Sequence, residues 1–227
     1  MYSIDYQEAL SHLEKTFTEE ISIDGPTNLF CLKDSDDYIE SDVKVMIFGQ
    51  ETNDWECEFP HPGGVPHLLN VYDDFFNQGR CFSYSGQFWN GFSKIQDRIR
   101  REFSAESKSV GFIWNNLIKI GRSGKVGAPS EAVLEWQKTT RDLTRKELKH
   151  YQPDIVIFLS GPFYDKHISS IFDDAIFSSA GERPQRQLAK VSSSQLPTKT
   201  LRTYHPSYLW RSGFYPYLDD IVEFIKT

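Results

Sequence analysis

The sequence predicts an α/β protein: a three-layer α/β/α sandwich around a four-stranded parallel sheet, folded as one domain over residues 1–227. Three observations predict it. Short apolar runs rich in β-branched residues alternate with segments of helical apolar spacing, the order that builds a parallel sheet with helices on both faces. Each run stops at small or polar residues. The length, with 39% hydrophobic and 15% aromatic residues and no internal repeat, suits one sizeable core.

Taken in order, residues 4–20 place Tyr6, Ala9, Leu10, Leu13 and Phe17 at helical spacing, an amphipathic surface helix. Residues 21–42 carry Gly25-Pro26 and Asp34-Ser35-Asp36-Asp37 and read as loop. Val43 to Phe48 is the first buried strand, ending at Gly49. Residues 50–70, rich in Pro, Gly, His and acid, form a long loop of the kind that carries function. A short helix is expected from Val71 to Gln78, and a longer one from about Trp89 to residue 104, whose far face carries Lys94, Arg98, Arg100 and Arg101 and reads either as solvated surface or as a face toward phosphates.

Val110 to Trp114 is the second strand, stopping at Asn115-Asn116, and residues 117–130 read as loop. Residues 130–150 predict one long helix, with Ser130 as N-cap, acids early and bases late, as the helix dipole favours. Ile155 to Leu159 is the third strand, ending at Ser160-Gly161, and Pro162 opens the next helix, to about Phe172. Residues 178–198 are polar and read as an exposed excursion. Thr198 to Tyr204 is the fourth strand, and Tyr217 to Ile225 a terminal amphipathic helix.

Composition removes several function classes. The net charge of −7 argues against blanket attraction to a polyanion. Cys31, Cys57 and Cys81 are too few for a disulfide framework or a four-thiolate cluster, and no Cys/His ligand spacing of the zinc type occurs, so no metal and no cofactor are expected. Gly121-Arg122-Ser123-Gly124-Lys125 lacks phosphate-loop spacing. Without a leader pattern or a bilayer-length apolar run, the expectation is a soluble cytoplasmic monomer with no membrane partner.

Ligands of parallel α/β sheets bind at the carboxyl ends of the strands. Here these ends are Gly49-Gln50-Glu51, Asn115-Asn116, Ser160-Gly161 and His205-Pro206-Ser207. In order, and with Cys81-Phe82-Ser83 between the first and second, they resemble the uracil-DNA glycosylase superfamily across roughly residues 43–215. Gly49-Gln50-Glu51-Thr52-Asn53-Asp54 stands where the best-known branch has Gly-Gln-Asp-Pro-Tyr-His. Cys81-Phe82-Ser83 matches a Cys-Phe-Ser segment, Trp114-Asn115 a strand ending in Leu-Asn, and His205-Pro206-Ser207-Tyr208-Leu209 a His-Pro-Ser-Pro-Leu motif.

The resemblance implies a uracil-DNA glycosylase-like fold and a monofunctional, metal-independent DNA N-glycosylase. It would flip a uracil or other altered base from single- or double-stranded DNA into a strand-end pocket and cleave its N-glycosidic bond, in repair or in processing of modified DNA. His205 would donate to the base carbonyl as negative charge builds on the leaving base. Glu51 would position the water, with Asp54 as the alternative carboxylate. Asn115 would read the base edge, with Asn116 an adjacent competitor, while Phe82 would stack on the base and Gln50 contact a base carbonyl. Leu209 would wedge into the duplex, and Ser207 and Arg211 would hold phosphates.

Two departures bear on the substrate. Glu51 is one methylene longer than the family's Asp, and a misplacement of about 1 Å can cost on the order of 10²-fold in rate. Asn53 stands where the family has the Tyr that blocks thymine's methyl, which opens the pocket to a larger base. These departures raise two alternatives: a catalytically impaired module that binds a nucleobase or modified DNA, and an interaction protein whose pocket is filled by its own Tyr84, Trp89 or Tyr208.

Overall fold

The computed structural model describes residues 4–226. Six strands form one sheet: β1 (Val43–Asn53), β2 (Val110–Arg122), β3 (Ile155–Leu159), β4 (Ile176–Ser179), β5 (Leu188–Ser192) and β6 (Lys199–Thr203), in the order β2-β1-β3-β6-β5-β4. The four predicted strands are the parallel half, paired β2·β1, β1·β3 and β3·β6. The sheet has two strands more than expected. The polar excursion takes in the end of β4 and all of β5; β5 pairs antiparallel with β4 on one side and with β6 on the other. β5 buries Leu188, Ala189 and Val191 while edge strand β4 stays mostly exposed, so polar composition masked a half-buried hairpin.

The helices are α1 (Tyr6–Thr16), α2 (Glu19–Ser22), α3 (Asp36–Ile39), α4 (Gly64–Tyr72), α5 (Gln87–Ser104), α6 (Glu131–Trp136), α7 (Thr140–Tyr151), α8 (Asp165–Ile171), α9 (Pro206–Ser212) and α10 (Phe214–Lys226). α5, α9 and α10 pack on one another, and α7 packs on α1 and α8. The expected long helix over 130–150 is broken by a 3₁₀ turn at Gln137–Thr139. There Gln137 is buried: its Oε1 accepts from the Ile120 N–H (2.9 Å) and its Nε2 donates to the Ile120 carbonyl (2.8 Å).

The main core is the parallel sheet with the helices on it. A second apolar cluster joins Leu10 and Leu13 of α1 to Leu29, Phe59, Ile120 and Trp136. That cluster explains the largest difference in strand length. β2 runs through Asn115-Asn116 to Arg122, because the main core takes up Leu117 and the second cluster takes up Ile120. The segment after Gly25 lies alongside it, with Thr27 N–H donating to the Gly121 carbonyl (3.1 Å) and Phe30 N–H to the Lys119 carbonyl (3.0 Å). β1 likewise continues past Gly49, pairing Glu51 with Ile118. The two long strands thus carry the residues expected just past a strand end. Among the described residues no helix is long and apolar enough to cross a membrane.

Candidate active site

A cavity of about 660 Å³ opens where β1 and β2 outrun β3 and β6. Its lining includes Gln50, Glu51, Asn53 and Asp54 from β1 and the turn after it, Trp114 and Asn116 from β2, and His205 beyond β6. Phe75, Tyr84, Phe88, Trp89 and Trp55 supply aromatic walls. Trp114 is the hub, with ring centroids 4.8 Å from Trp89, 5.7 Å from Phe75 and 5.9 Å from Trp55. Tyr84 and Trp89 line the space without filling it, and Tyr208 lies outside it, against Tyr204.

His205 is the N-cap of α9, ahead of Pro206 at the first helical position. Its Nδ1 accepts from the Ser207 backbone N–H (3.2 Å) and contacts Ser207 Oγ (2.8 Å). An acceptor Nδ1 carries no proton, so the neutral ring bears its proton on Nε2. Burial lowers the imidazole pKa to about 4, which keeps the ring neutral near pH 7. Phe88 stacks on it, with centroids 5.3 Å apart and planes 25° apart. Ser207 therefore orients the imidazole, which is a different task from the phosphate contact expected of it.

Glu51 is partly buried, and burial raises its carboxyl pKa. The Tyr164 hydroxyl donates to Glu51 Oε2, partly offsetting that rise. Tyr164 sits in the 3₁₀ turn after Gly161, and sequence reasoning missed it; its only sequence signal was a place just past the third strand end. Asp54 has a left-handed backbone (φ 49°) and accepts from the Gly124 N–H (2.9 Å). Gln50 donates from Nε2 to the Ser160 carbonyl (2.7 Å), bracing β1 against the end of β3.

The two asparagines divide. Asn115 does not line the cavity. It is fully buried on the other side of β2, donating to Glu147 Oε2 (2.9 Å) and accepting at Oδ1 from Lys119 Nζ (2.5 Å) and the Asn116 N–H (2.7 Å). Alternation along the strand turns Asn116 to the cavity instead. Its Nδ2 has no hydrogen-bond partner, and neither do Trp55 Nε1 and Trp114 Nε1, which belong to residues of the same lining. Gly49 allows the asparagine its place: a Cβ there would lie 2.4 Å from Asn116 Oδ1 and 3.3 Å from Phe88 Cζ.

Three further expectations meet a different geometry. Phe82 is 37% exposed and lies outside the cavity, edge-on to Trp89 at 5.9 Å; Phe88 and Trp89 stand at the cavity in its place. Leu209 is 0% exposed, because α9 turns it into the core, so it does not project toward a duplex. On the same helix Tyr208 is 41% exposed, with Arg211 6.0 Å over its ring. Arg211 is at the surface, outside the cavity.

A mostly parallel α/β sheet with a polar and aromatic cavity at its strand ends defines the class of open α/β proteins that bind their ligands at the carboxyl ends of the strands. The chain belongs to the uracil-DNA glycosylase superfamily: the model of the family described as "Uracil DNA glycosylase superfamily" matches residues 37–226. No match was found among curated proteins. Membership supports a DNA glycosylase-like hydrolase with DNA as its substrate.

Proposed function

We propose that the protein is a monofunctional DNA N-glycosylase that takes a flipped base bulkier than uracil into the strand-end cavity and hydrolyses its N-glycosidic bond. The convergence of His205, Glu51 and Asn116 on one cavity carries this reading. Water attacks C1′ as the C1′–N bond breaks, and the electron pair leaves with the base. Glu51, held by Tyr164, orients that water and accepts its proton. His205 Nε2–H meets the base carbonyl where charge grows, a neutral donor already in place in a poorly solvated site. The ring held by Ser207 and Phe88 needs no reorganisation.

Size and donor count support the substrate class. A cavity of about 660 Å³ falls within the range that encloses a drug-sized molecule and exceeds the need of a bare pyrimidine. Asn53, where a methyl-blocking Tyr would stand in the family, leaves part of that room. Asn116 brings an amide to the cavity lining, and its Nδ2 has no partner within the protein.

The test is base release from single- and double-stranded DNA carrying uracil or pyrimidines with progressively larger 5-substituents. Release is expected to favour the larger bases, and to fall about 10²–10³-fold in His205→Asn, the cost of one lost transition-state donor. No release from any substrate by the folded protein overturns the reading. Base binding without turnover, weakened by Asn116→Ala, would replace it with a binding module.

A further inference from the structure

Glu56, His61 and His67 lie beside the cavity, and the proposed hydrolysis uses none of them. One ligand atom from each residue lies within 4.8 Å of the others. His67 Nε2 is 2.7 Å from Glu56 Oε2, and the two imidazoles stack at 4.0 Å with planes 9° apart. No single helix or strand brings them together. Glu56 and His61 come from the turn after β1, His67 from α4.

The arrangement is held from behind. Buried Asn28 donates from Nδ2 to the carbonyls of Glu56 (2.7 Å) and Glu58 (3.2 Å), and its Oδ1 accepts from the His61 N–H (2.7 Å). Asp54, Glu56 and Cys57 all adopt left-handed backbone (φ 49°, 53° and 58°), a disfavoured conformation that surrounding structure must enforce and that concentrates at ligand-binding segments. Gly63 lies close against both histidines: a Cβ there would lie 2.6 Å from His67 Cβ and 3.1 Å from His61 Nδ1. The Gly63 N–H donates to His61 Nδ1 (3.0 Å), which fixes the orientation of that ring.

We propose that Glu56, His61 and His67 bind a zinc-class divalent transition ion, clipping the rim of the cavity to α4. Two imidazoles and a carboxylate make a three-ligand zinc set with a fourth position for water. Donors on a tetrahedral zinc stand about 3.3 Å apart, so modest side-chain movement closes the set around an ion. The nitrogen donors favour zinc, cobalt or nickel over magnesium and calcium, which take oxygen. Glu56 also lines the cavity, so the ion would fix one side of its mouth.

The experiment titrates the chelator-treated, tag-free full chain with Zn²⁺ by calorimetry and with Co²⁺ by visible absorption. One equivalent of each is expected, with the intense visible bands of low-coordinate cobalt, and no binding of Mg²⁺ at the same concentrations. His61→Ala and His67→Gln are expected to weaken binding by more than about tenfold, since even a supporting partner is worth roughly 10–100-fold. Cys57→Ser, which removes the exposed thiol nearby in sequence, is expected to retain it. His67→Gln keeps a polar side chain of similar reach beside Glu56, and near-ultraviolet circular dichroism checks that each variant is folded. Absence of stoichiometric Zn²⁺ binding overturns the proposal. So does binding that survives both histidine variants or depends on Cys57.

Discussion

At the scale of single residues, the site is governed by which atom of each side chain remains available. His205 has its Nδ1 committed to Ser207, which leaves the ring proton on Nε2. Glu51 has one oxygen committed to Tyr164, and its pKa lies above the usual glutamate value because burial disfavours the charge. If Glu51 must be ionised to accept the water's proton, kcat/KM falls on the acid side of the pH profile, with a midpoint above that of an ordinary glutamate. Tyr164→Phe removes the hydrogen bond that lowers the Glu51 pKa, so the acid limb should move to higher pH. Glu51→Gln should abolish the limb together with most of the rate. A limb unmoved by Tyr164→Phe would show that Tyr164 does not position Glu51.

At the scale of elements, β1 and β2 act as one unit. Gly49 lets Asn116 of β2 and Phe88 of α5 both lie close against β1, and Gly49→Ala puts a methyl group into space the Asn116 amide occupies. Base binding is expected to weaken at least about tenfold, while unfolding free energy changes by about 1–3 kcal/mol, the usual range for overpacking. Binding unchanged in a folded Gly49→Ala protein would remove Asn116 from the site. Behind β2, Lys119 Nζ meets both Glu147 oxygens (2.8 and 2.6 Å), and Tyr6 also donates to Glu147 (3.0 Å). Burial pulls the Lys119 pKa down and pushes the Glu147 pKa up, and their mutual attraction opposes both shifts. Lys119→Met leaves Glu147 buried without its cation and should cost about 3–5 kcal/mol in denaturant unfolding. Removing both charges, as Lys119→Met with Glu147→Gln, should cost less than Lys119→Met alone.

At the scale of the whole molecule, His205 links folding to pH. Its folded pKa of about 4 lies below its ordinary 6.5, so protons bind the unfolded chain more readily. The stability it confers is complete above about pH 6.5 and is lost as pH falls through the window toward 4. At about 1.4 kcal/mol per pKa unit, the loss is bounded at roughly 3 kcal/mol. Glu51 works in the opposite sense: its raised pKa favours the folded state at low pH, and that contribution fades as pH rises through its folded value. Urea unfolding between pH 7 and 4 should therefore show a smaller decline in His205→Asn than in the parent. Identical declines would place His205 in a solvated setting.

The periodicity of the chain determined the four parallel strands, their order along the sequence and the arrival of Gly49, Glu51 and His205 at one end of the sheet. These features are local, because a buried parallel strand is a short β-branched run whatever surrounds it. Only the tertiary structure decided which neighbour faces the cavity. Asn115 and Asn116 are indistinguishable in sequence, and the buried Lys119–Glu147 pair takes one amide and leaves the other. The same holds for Phe82 against Phe88, for Leu209, buried by the helix that starts at Pro206, and for Tyr164, whose partner Glu51 lies 113 residues away. Side-chain direction and long-range pairing follow from how separate segments pack. That packing also gathers Glu56, His61 and His67, which share no helix or strand periodicity, around one point.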